Sequence, residues 1–178
     1  MYKRILVPLD GSKLAECALP HVEELAKSCA TEEVFLISVT EQVRGQTRAR
    51  EAYERYRASD DIGLQRVGTE TSIAFGKPGP EITVTFGKLE RQALRYLSRI
   101  AKKLQAKGIK VCTELLFWPP AEAIIAYAEK NNVDIIVMSS HGRSGPSRSA
   151  NGRVAEKVLK TSCVPVLMVR APGCIPPI

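Results

Sequence analysis

Short apolar stretches alternate with amphipathic stretches of helical length along most of this chain, and this alternation constrains the fold more than any other feature of the sequence. The apolar stretches are rich in β-branched residues and are bounded by turn-forming residues, which is typical of buried strands. Five strands are predicted in this way, at 2–10, 32–40, 109–117, 133–140 and 164–170. Because helical segments connect them, we predict an α/β fold with an open five-stranded parallel sheet and helices on both faces.

Helices are predicted between these strands, at 15–26, 89–108, 121–132 and 153–162. Pro20 lies inside the first one and predicts either a kink or a helix that begins again with Pro20 in its first turn. The second is the clearest, and Gly108 suits the position just after its end. Its predicted buried stripe consists of Leu89, Ala93, Leu97, Ile100 and Leu104.

The length and composition indicate one globular domain. A chain of 178 residues with 44% apolar and 25% charged residues is long enough for one well-buried core and short for two. No apolar run reaches the roughly 18 residues of a membrane span, so we expect no membrane association. The five cysteines are scattered without a CxxC pair and only two histidines occur, so we expect buried free thiols and a cytoplasmic location, without disulfides or a zinc site.

One long segment and the C-terminus depart from the alternation. Residues 41–85 include a candidate short helix in "GQTRAREAYERYRASDD" and a turn cluster, "FGKPGPE". A segment of this length in a small domain is either a functional flap or partly disordered. We therefore predict a single domain over 1–178, with a long variable insertion at about 41–85 and a short proline-rich tail at 171–178.

The net charge of +7 has a defined location in the chain. Between Glu41 and Lys110, fifteen Lys or Arg residues stand against eight Asp or Glu residues, so this segment holds the whole excess. Basic side chains recur there at helical spacing, at Arg91, Arg95, Arg99 and Lys102 or Lys103. No aromatic residues interleave with them as stacking platforms would require, so we interpret this stripe as a solvated helix face and do not expect a nucleic-acid partner.

The ends of the first and fourth predicted strands carry the residues best suited to binding a ligand. In open parallel sheets, ligands bind outside the carboxyl ends of the strands, where the strand order reverses. The first strand ends at Asp10, whose carboxylate can accept hydrogen bonds from ribose hydroxyls. The fourth runs into "SSHGRSGPSRSANGRVAEKVL", whose glycines permit close backbone approach and whose final helix offers an N-terminus to an anion. This loop is either a phosphate cradle or a flexible connection.

The chain resembles the universal stress protein family over nearly its whole length. The resemblance is carried by "ILVPLDGS", by "PAEAIIAYAEKNNVDIIVMSSHGRSG" and by "GRVAEKVLKTSCVPVLMVR", and it leaves about 41–85 uncovered. It implies a flavodoxin-like or Rossmann-like sheet of order 3-2-1-4-5. It also implies a homodimer paired through the last strand, Val164–Arg170, and a nucleotide pocket in the ATP-binding branch of the family.

That branch is marked by a glycine motif, which this chain matches in part. The motif is a glycine, two residues, a second glycine, nine residues, and a third glycine followed by Ser or Thr. Gly142 and Gly152 match the second and third glycines, whereas Ser139 replaces the first and Arg153 replaces the hydroxyl residue. If Ser139 must have a positive φ, its backbone bears a modest penalty. Arg153, with Arg143, could clamp phosphate oxygens or could fill the phosphate site and exclude a triphosphate.

By resemblance, the pocket residues lie at the strand ends and along this loop. Several also suit a plain structural role: Pro8, Val39 and Met138 fit a strand-end core, and Asp10 fits a turn or helix-cap acceptor. His141 is interpreted as a hydrogen-bonding loop residue rather than a general base. The predicted nucleotide-binding residues are Pro8, Leu9, Asp10, Val39, Met138, Ser139, His141, Gly142, Arg143, Gly152, Arg153 and Val154.

Two functions fit these residues. The first is a regulatory protein that binds an adenine nucleotide, ATP or a relative with or without Mg²⁺, at the carboxyl ends of strands one and four. Hydrolysis, if present, is expected to be slow, because the sequence contains no Walker-type lysine motif and no positioned base is visible. The alternative, motivated by Ser139 and Arg153, is a stress-response dimer that binds no nucleotide and acts through protein–protein interactions.

Overall fold

The strands predicted from the sequence assemble into one parallel sheet in the structure, a computed structural model of the chain. The described residues are 2–40, 65–67, 72–74, 88–117, 119–141 and 152–171. Their strands are β1 (Arg4–Pro8), β2 (Glu33–Thr40), β3 (Gln65–Val67), β4 (Ser72–Ala74), β5 (Val111–Phe117), β6 (Ile135–Ser139) and β7 (Val166–Val169). The main sheet has the order β5-β2-β1-β6-β7, which is the predicted order 3-2-1-4-5 of its five strands.

The described helices are a 3₁₀ helix (Ala15–Ala18), α1 (Leu19–Ser28), α2 (Lys88–Gln105), α3 (Pro120–Lys130) and α4 (Gly152–Thr161). Pro20 lies in the first turn of α1, directly after the 3₁₀ helix, so the predicted restart at this proline is confirmed. Gly108 follows the end of α2 with a φ of +80°, a left-handed conformation that glycine adopts at little cost.

The first of two buried clusters fills the sheet face covered by the 3₁₀ helix, α1 and α2. Side chains alternate along each strand, so Ile5 and Val7 of β1 point into this cluster, whereas Leu6 points into the other. Burial of each such side chain contributes about 1.5–3 kcal/mol. The cluster consists of Ile5, Val7, Leu9, Ala15, Ala18, Leu19, Val22, Val34, Leu36, Leu97, Ile100, Ala101, Leu104, Ile109, Ile135 and Val137.

The second cluster fills the opposite face, beneath α3 and α4. All five residues of β6 are buried, as the uninterrupted apolar run predicts. Because both faces of the sheet are covered, a ligand can reach it only at its edges and at the strand ends. The cluster consists of Leu6, Phe35, Ile37, Leu116, Ala121, Ile124, Tyr127, Ala128, Val133, Ile136, Met138, Ala155 and Val158.

Two predictions about burial are wrong. Leu89 is 53% exposed, because it lies about 80° around the helix from Leu97, whereas the neighbouring Glu90, seven residues before Leu97, lies on the buried face and is 2% exposed. Four cysteines are described and all are free, but they are not all buried: Cys163 is exposed in the turn between α4 and β7. Three others, Cys17, Cys29 and Cys112, are half-buried.

The amino ends of β1 and β6 are joined by Asp134. Its Oδ2 accepts hydrogen bonds from the backbone N–H groups of Lys3 and Arg4, each at 2.8 Å. The Arg4 guanidinium in turn donates to the backbone oxygen of Asn131 at 3.0 Å. These contacts fix the register of the two strands, which pairs Ile5 with Ile135.

The chain divides into two compact units, residues 1–41 with 92–178 and residues 42–91. The first holds the parallel sheet. In the second, β3 and β4 form an antiparallel pair, which the sequence analysis did not predict. The candidate short helix and the turn cluster of this segment lie outside the described residues, as does most of the proline-rich tail. The division into one domain with an insertion at about 41–85 stays a prediction.

Candidate functional site

The carboxyl ends of β1, β2 and β6 meet at one edge of the sheet. β1 lies between the other two and runs parallel to both, so the strand order reverses beside it. The N–H of Leu9 donates to the Ile37 oxygen of β2 at 2.8 Å, which continues the pairing beyond the end of β1. Pro8, Leu9 and Asp10 are thereby placed next to the end of β2, where Val39 lies.

Asp10 opens the turn that follows β1. Its Oδ1 accepts the Ser12 N–H at 2.9 Å, and Ser12 Oγ accepts the Ala15 N–H at 3.1 Å. Gly11 between them has a φ of +87°, so the chain can reverse there without a side-chain clash. The structural role predicted for Asp10 as a turn acceptor is therefore present, and it fixes the orientation of the carboxylate at the strand end.

Ser139 ends β6, on the other side of this edge. It is 7% exposed, and its Oγ accepts the Cys17 thiol at 3.5 Å and the His141 N–H at 3.3 Å. Positive φ angles at described non-glycine residues occur only at Ala30 and Asn132. Ser139 therefore has ordinary strand geometry, and the backbone penalty considered for a serine at the first glycine position of the motif does not arise.

The loop after β6 begins with a second set of hydrogen bonds. Ser140 Oγ lies 3.0 Å from His141 Nδ1 and accepts the Ala171 N–H at 3.2 Å, while the Ser140 N–H donates to the Val169 oxygen of β7 at 2.8 Å. The half-buried His141 is thus a hydrogen-bonded loop residue, as predicted. Ser140 was not among the predicted site residues, although it is the serine between Ser139 and His141.

The other predicted site residues fall into two groups. Met138 is 6% exposed in the second cluster, and half-buried Val39 and Val154 pack against that cluster, so these three have the core role that their apolar side chains allow. Gly152 and Arg153 form the first turn of α4. The Arg153 side chain and the whole of Gly142 and Arg143 lie outside the described part of the chain.

Two polar side chains of α2, Tyr96 and Arg99, lie near the Asp10 turn. Arg99 donates to Glu16 of the 3₁₀ helix, with 3.2 Å between Nη2 and Oε1, and its guanidinium lies 5.4 Å from the centre of the Tyr96 ring. The buried Tyr96 hydroxyl lies near the Glu16 carboxylate, and within the described part of the chain it makes no hydrogen bond of full geometry. Burial, followed by the carboxylates of Glu16 and Asp10, raises the pKa of Tyr96. The phenol is therefore a neutral donor at physiological pH.

The sequence analysis missed Cys17, Glu16 and Tyr96 as neighbours of the predicted site. One signal was available for Cys17 and Glu16, because they follow the "PLDGS" turn by only a few residues. No such signal existed for Tyr96 or for Arg99, since Arg99 and Glu16 are separated by 83 positions in the sequence.

This arrangement can be compared with known proteins. A profile of the universal stress protein family matches residues 1–170. The chain belongs to the universal stress protein family. Universal stress protein MJ0577 of Methanocaldococcus jannaschii is 35% identical to it over 170 residues, which are 96% of each chain. The solved structure of hypothetical protein MJ0577 has a TM-score of 0.67 and 31% identity, and the alignment covers 98% of this chain and 99% of that one.

Two more distant universal stress proteins have been solved with adenine nucleotides. One is in complex with cAMP and has a TM-score of 0.58, 14% identity and coverage of 96% of this chain and 98% of that one. The other, from Arabidopsis thaliana, has AMP bound, with a TM-score of 0.57, 12% identity and coverage of 96% and 93%. At these identities, the likeness shows the shared universal stress protein fold alone.

Within the described ranges, this universal stress protein has no helix with both the length and the apolar character needed to cross a bilayer. In the same part of the chain, no group of three or more His, Cys, Asp or Glu side chains is placed to hold a metal ion.

Proposed function

We propose that this universal stress protein is a regulatory protein that binds an adenine nucleotide, ATP in the first place, at the carboxyl ends of β1 and β6. The observation that carries the proposal is the position of Asp10, in the turn after β1, and of Ser139, which ends the neighbouring strand β6, at the point where the strand order reverses. Family membership supports it, as do the AMP and cAMP bound by two relatives of the same fold.

The chemistry of the strand ends fits such a ligand. Asp10 is an acceptor suited to ribose hydroxyls, and its hydrogen bond from the Ser12 N–H orients it before any ligand arrives, which lowers the entropy cost of binding. Half-buried Val39 offers an apolar contact for the base. The start of α4 at Gly152 offers backbone N–H groups to phosphates. Arg143 and Arg153 would add cations there, and Mg²⁺ would arrive with the phosphates.

The backbone geometry of Ser139 removes one reason for the alternative that binds no nucleotide. The departure from glycine was a reason to doubt the pocket, because of a possible strained backbone and a side chain in the way of the ligand. The backbone is unstrained, and the Ser139 hydroxyl is engaged by the Cys17 thiol of the 3₁₀ helix and the His141 N–H.

Isothermal titration of the nucleotide-stripped protein with ATP, ADP, AMP and cAMP tests the proposal. We expect binding of ATP, and an Asp10→Asn variant should bind it roughly three- to tenfold more weakly, because asparagine keeps a neutral acceptor and loses about half of the 1.5–3 kcal/mol that a hydrogen bond to a charged carboxylate contributes. Asparagine keeps the oxygen that accepts the Ser12 N–H, so the turn should stay folded.

Asp134→Asn is the matched control for this titration. It removes the same charge at the opposite end of β1 and β6, where Asp134 accepts two backbone N–H groups. It should lower stability and leave the dissociation constant for ATP within about twofold. Absence of heat with all four nucleotides at millimolar concentration would contradict the proposal and leave the non-nucleotide, protein-binding dimer as the remaining function.

The remaining parts of the proposal concern assembly, turnover and location. We propose a homodimer that pairs through Val164–Arg170, since β7 is an outer strand of the sheet and its Leu167 is 37% exposed. Turnover of ATP should be slow at most, because the sequence lacks a Walker-type lysine motif. The four described cysteines are free, which supports a reducing, cytoplasmic location.

A further inference from the structure

The 3₁₀ helix Ala15–Ala18 joins the two halves of the candidate site. On one side it is connected to β1 through the Asp10 turn, because Ser12 Oγ accepts the Ala15 N–H. On the other side the Cys17 thiol reaches Ser139 at the end of β6. Movement of this helix would therefore change the spacing between Asp10 and the start of the glycine loop.

The helix is too short to hold this position by its own backbone hydrogen bonds. It has four residues, and the Cys17 N–H reaches the Leu14 oxygen at 3.3 Å, the long end of the hydrogen-bond range. Ala15 and Ala18 are buried against the first core cluster, but alanine side chains offer little area for anchoring. It continues directly into α1, whose Leu19 N–H donates to the Glu16 oxygen, and a side-chain contact from α2 gives it a second point of attachment.

Arg99 of α2 supplies that contact through Glu16. The carboxylate of Glu16 is only 24% exposed, and Arg99 donates to it at 3.2 Å. The guanidinium also lies against the Tyr96 ring one turn earlier on α2, which restricts its freedom before the ion pair forms. The Leu97, Ile100 and Leu104 side chains hold α2 itself in the core, so Arg99 is mounted on a rigid element.

We infer that the Glu16–Arg99 ion pair is a positioning device of the nucleotide site, in which Arg99 holds the 3₁₀ helix so that Asp10 and the end of β6 keep their spacing. This inference rests on the proposed nucleotide function. Neither residue needs to touch the ligand. Arg99, which the sequence analysis interpreted as part of a solvated basic face, would thus position the 3₁₀ helix.

A second ion pair of the same kind provides a matched control. Lys107, just after α2, contacts Glu23 of α1 at 2.5 Å. The Lys107 and Glu23 side chains are 48% and 23% exposed. The corresponding values for Arg99 and Glu16 are 57% and 24%. The two pairs thus have nearly equal burial, and they join α2 or the turn after it to consecutive helical elements. The Glu16 pair acts on the 3₁₀ helix, which contacts Ser12 of the Asp10 turn and Ser139, whereas the Glu23 pair acts on α1.

The experiment compares Arg99→Ala with Lys107→Ala by titration with ATP, thermal unfolding and amide hydrogen exchange. We expect Arg99→Ala to bind ATP about three- to fivefold more weakly, which is the range of a partly exposed ion pair, while Lys107→Ala stays within about 1.5-fold of the unmodified protein. Both should lose similar thermal stability. Arg99→Lys, which keeps the ion pair, should recover at least about half of the lost affinity, and Glu16→Gln should add nothing when combined with Arg99→Ala.

Hydrogen exchange of the nucleotide-free protein separates this inference from the proposed function. Arg99→Ala should exchange faster at the amides of Ser12, Ala15 and Cys17, and Lys107→Ala should not. If the unmodified protein binds no nucleotide, the proposed function is wrong, and the exchange comparison still decides whether the ion pair holds the turn. Equal affinity and equal exchange in the two variants would overturn the inference, because Arg99 would then contribute only general stability.

Discussion

Replacement of Asp134 measures how strongly the amino end of β6 is tied to β1. In Asp134→Ala, the backbone N–H groups of Lys3 and Arg4 lose the one carboxylate oxygen that both contact at 2.8 Å. The Asp134 backbone keeps its own bond, from its N–H to the Arg4 oxygen at 2.9 Å. The perturbation is therefore confined to one side chain and two donors.

The two lost bonds have different weights. A hydrogen bond to a charged group contributes about 1.5–3 kcal/mol when the donor is left without water. Loss of the hydrogen bond from the partly buried Arg4 N–H should cost about 2 kcal/mol. Loss of the bond from the exposed Lys3 N–H should cost well under about 1 kcal/mol, because this group can hydrate. We expect Asp134→Ala to lower the free energy of unfolding by about 2–3 kcal/mol. Asp134→Asn keeps a neutral acceptor and should lose about half as much.

Urea denaturation followed by far-UV circular dichroism provides the measurement. The midpoint should fall by about 1 M or more for Asp134→Ala with an unchanged slope, since the surface exposed on unfolding stays the same. Glu32→Gln is the control, because the ion pair between Lys3 and Glu32 is 64% and 56% exposed and should contribute nothing measurable. A loss below about 0.5 kcal/mol for Asp134→Ala, or equal losses for Ala and Asn, would refute the reasoning.

Two further predictions concern the outer strand and the thiols. Leu167→Lys should convert the proposed dimer to a monomer in light scattering, because a charge on β7, the outer strand of the sheet, opposes pairing. Leu159→Lys on α4, where Leu159 is 49% exposed, should leave the unmodified protein's mass unchanged, and a Leu167→Lys dimer would contradict the proposed interface. Iodoacetamide at pH 8 should modify exposed Cys163 faster than Cys112, because burial and then the Glu114 carboxylate raise the pKa of the Cys112 thiol and leave less thiolate. The difference should shrink as the pH rises and vanish in urea, and equal rates in the folded protein at pH 8 would count against this explanation.

Much of the fold could be predicted from the sequence because its periodicity is local. The run from Ile135 to Met138 is apolar throughout and belongs to a strand whose five residues are all buried. Pro20 fixes where α1 begins, since proline fits the first turn of a helix and no later one. Leu89 shows where apolar spacing misleads, because the position on the buried face of the first turn of α2 is held by the charged Glu90, which is 2% exposed. A pattern of apolar residues does not report a buried polar one.

The candidate site could be predicted only in part, since its contacts depend on the tertiary fold. The strand ends are local features, and Asp10 is where the sequence places it. The backbone conformation of Ser139 could not be predicted, because a mismatch with the glycine motif does not report the φ angle at that position. The contacts from Cys17 to Ser139 and from Arg99 to Glu16 span 122 and 83 positions. No local pattern reports pairs of that separation.

The contacts at the two ends of the sheet have different roles, so effects on ligand affinity can be measured separately from effects on stability. At the amino end, Asp134 holds β6 to β1, and the exposed ion pairs Lys3–Glu32 and Lys110–Glu33 lie at the starts of β1, β2 and β5. At the carboxyl end, the polar side chains of Asp10 and Ser139 serve turns and one short helix. A substitution at the first end should therefore change stability without affinity. Substitution of Arg99 should instead change affinity more than its stability cost predicts, because it acts on the spacing of the site.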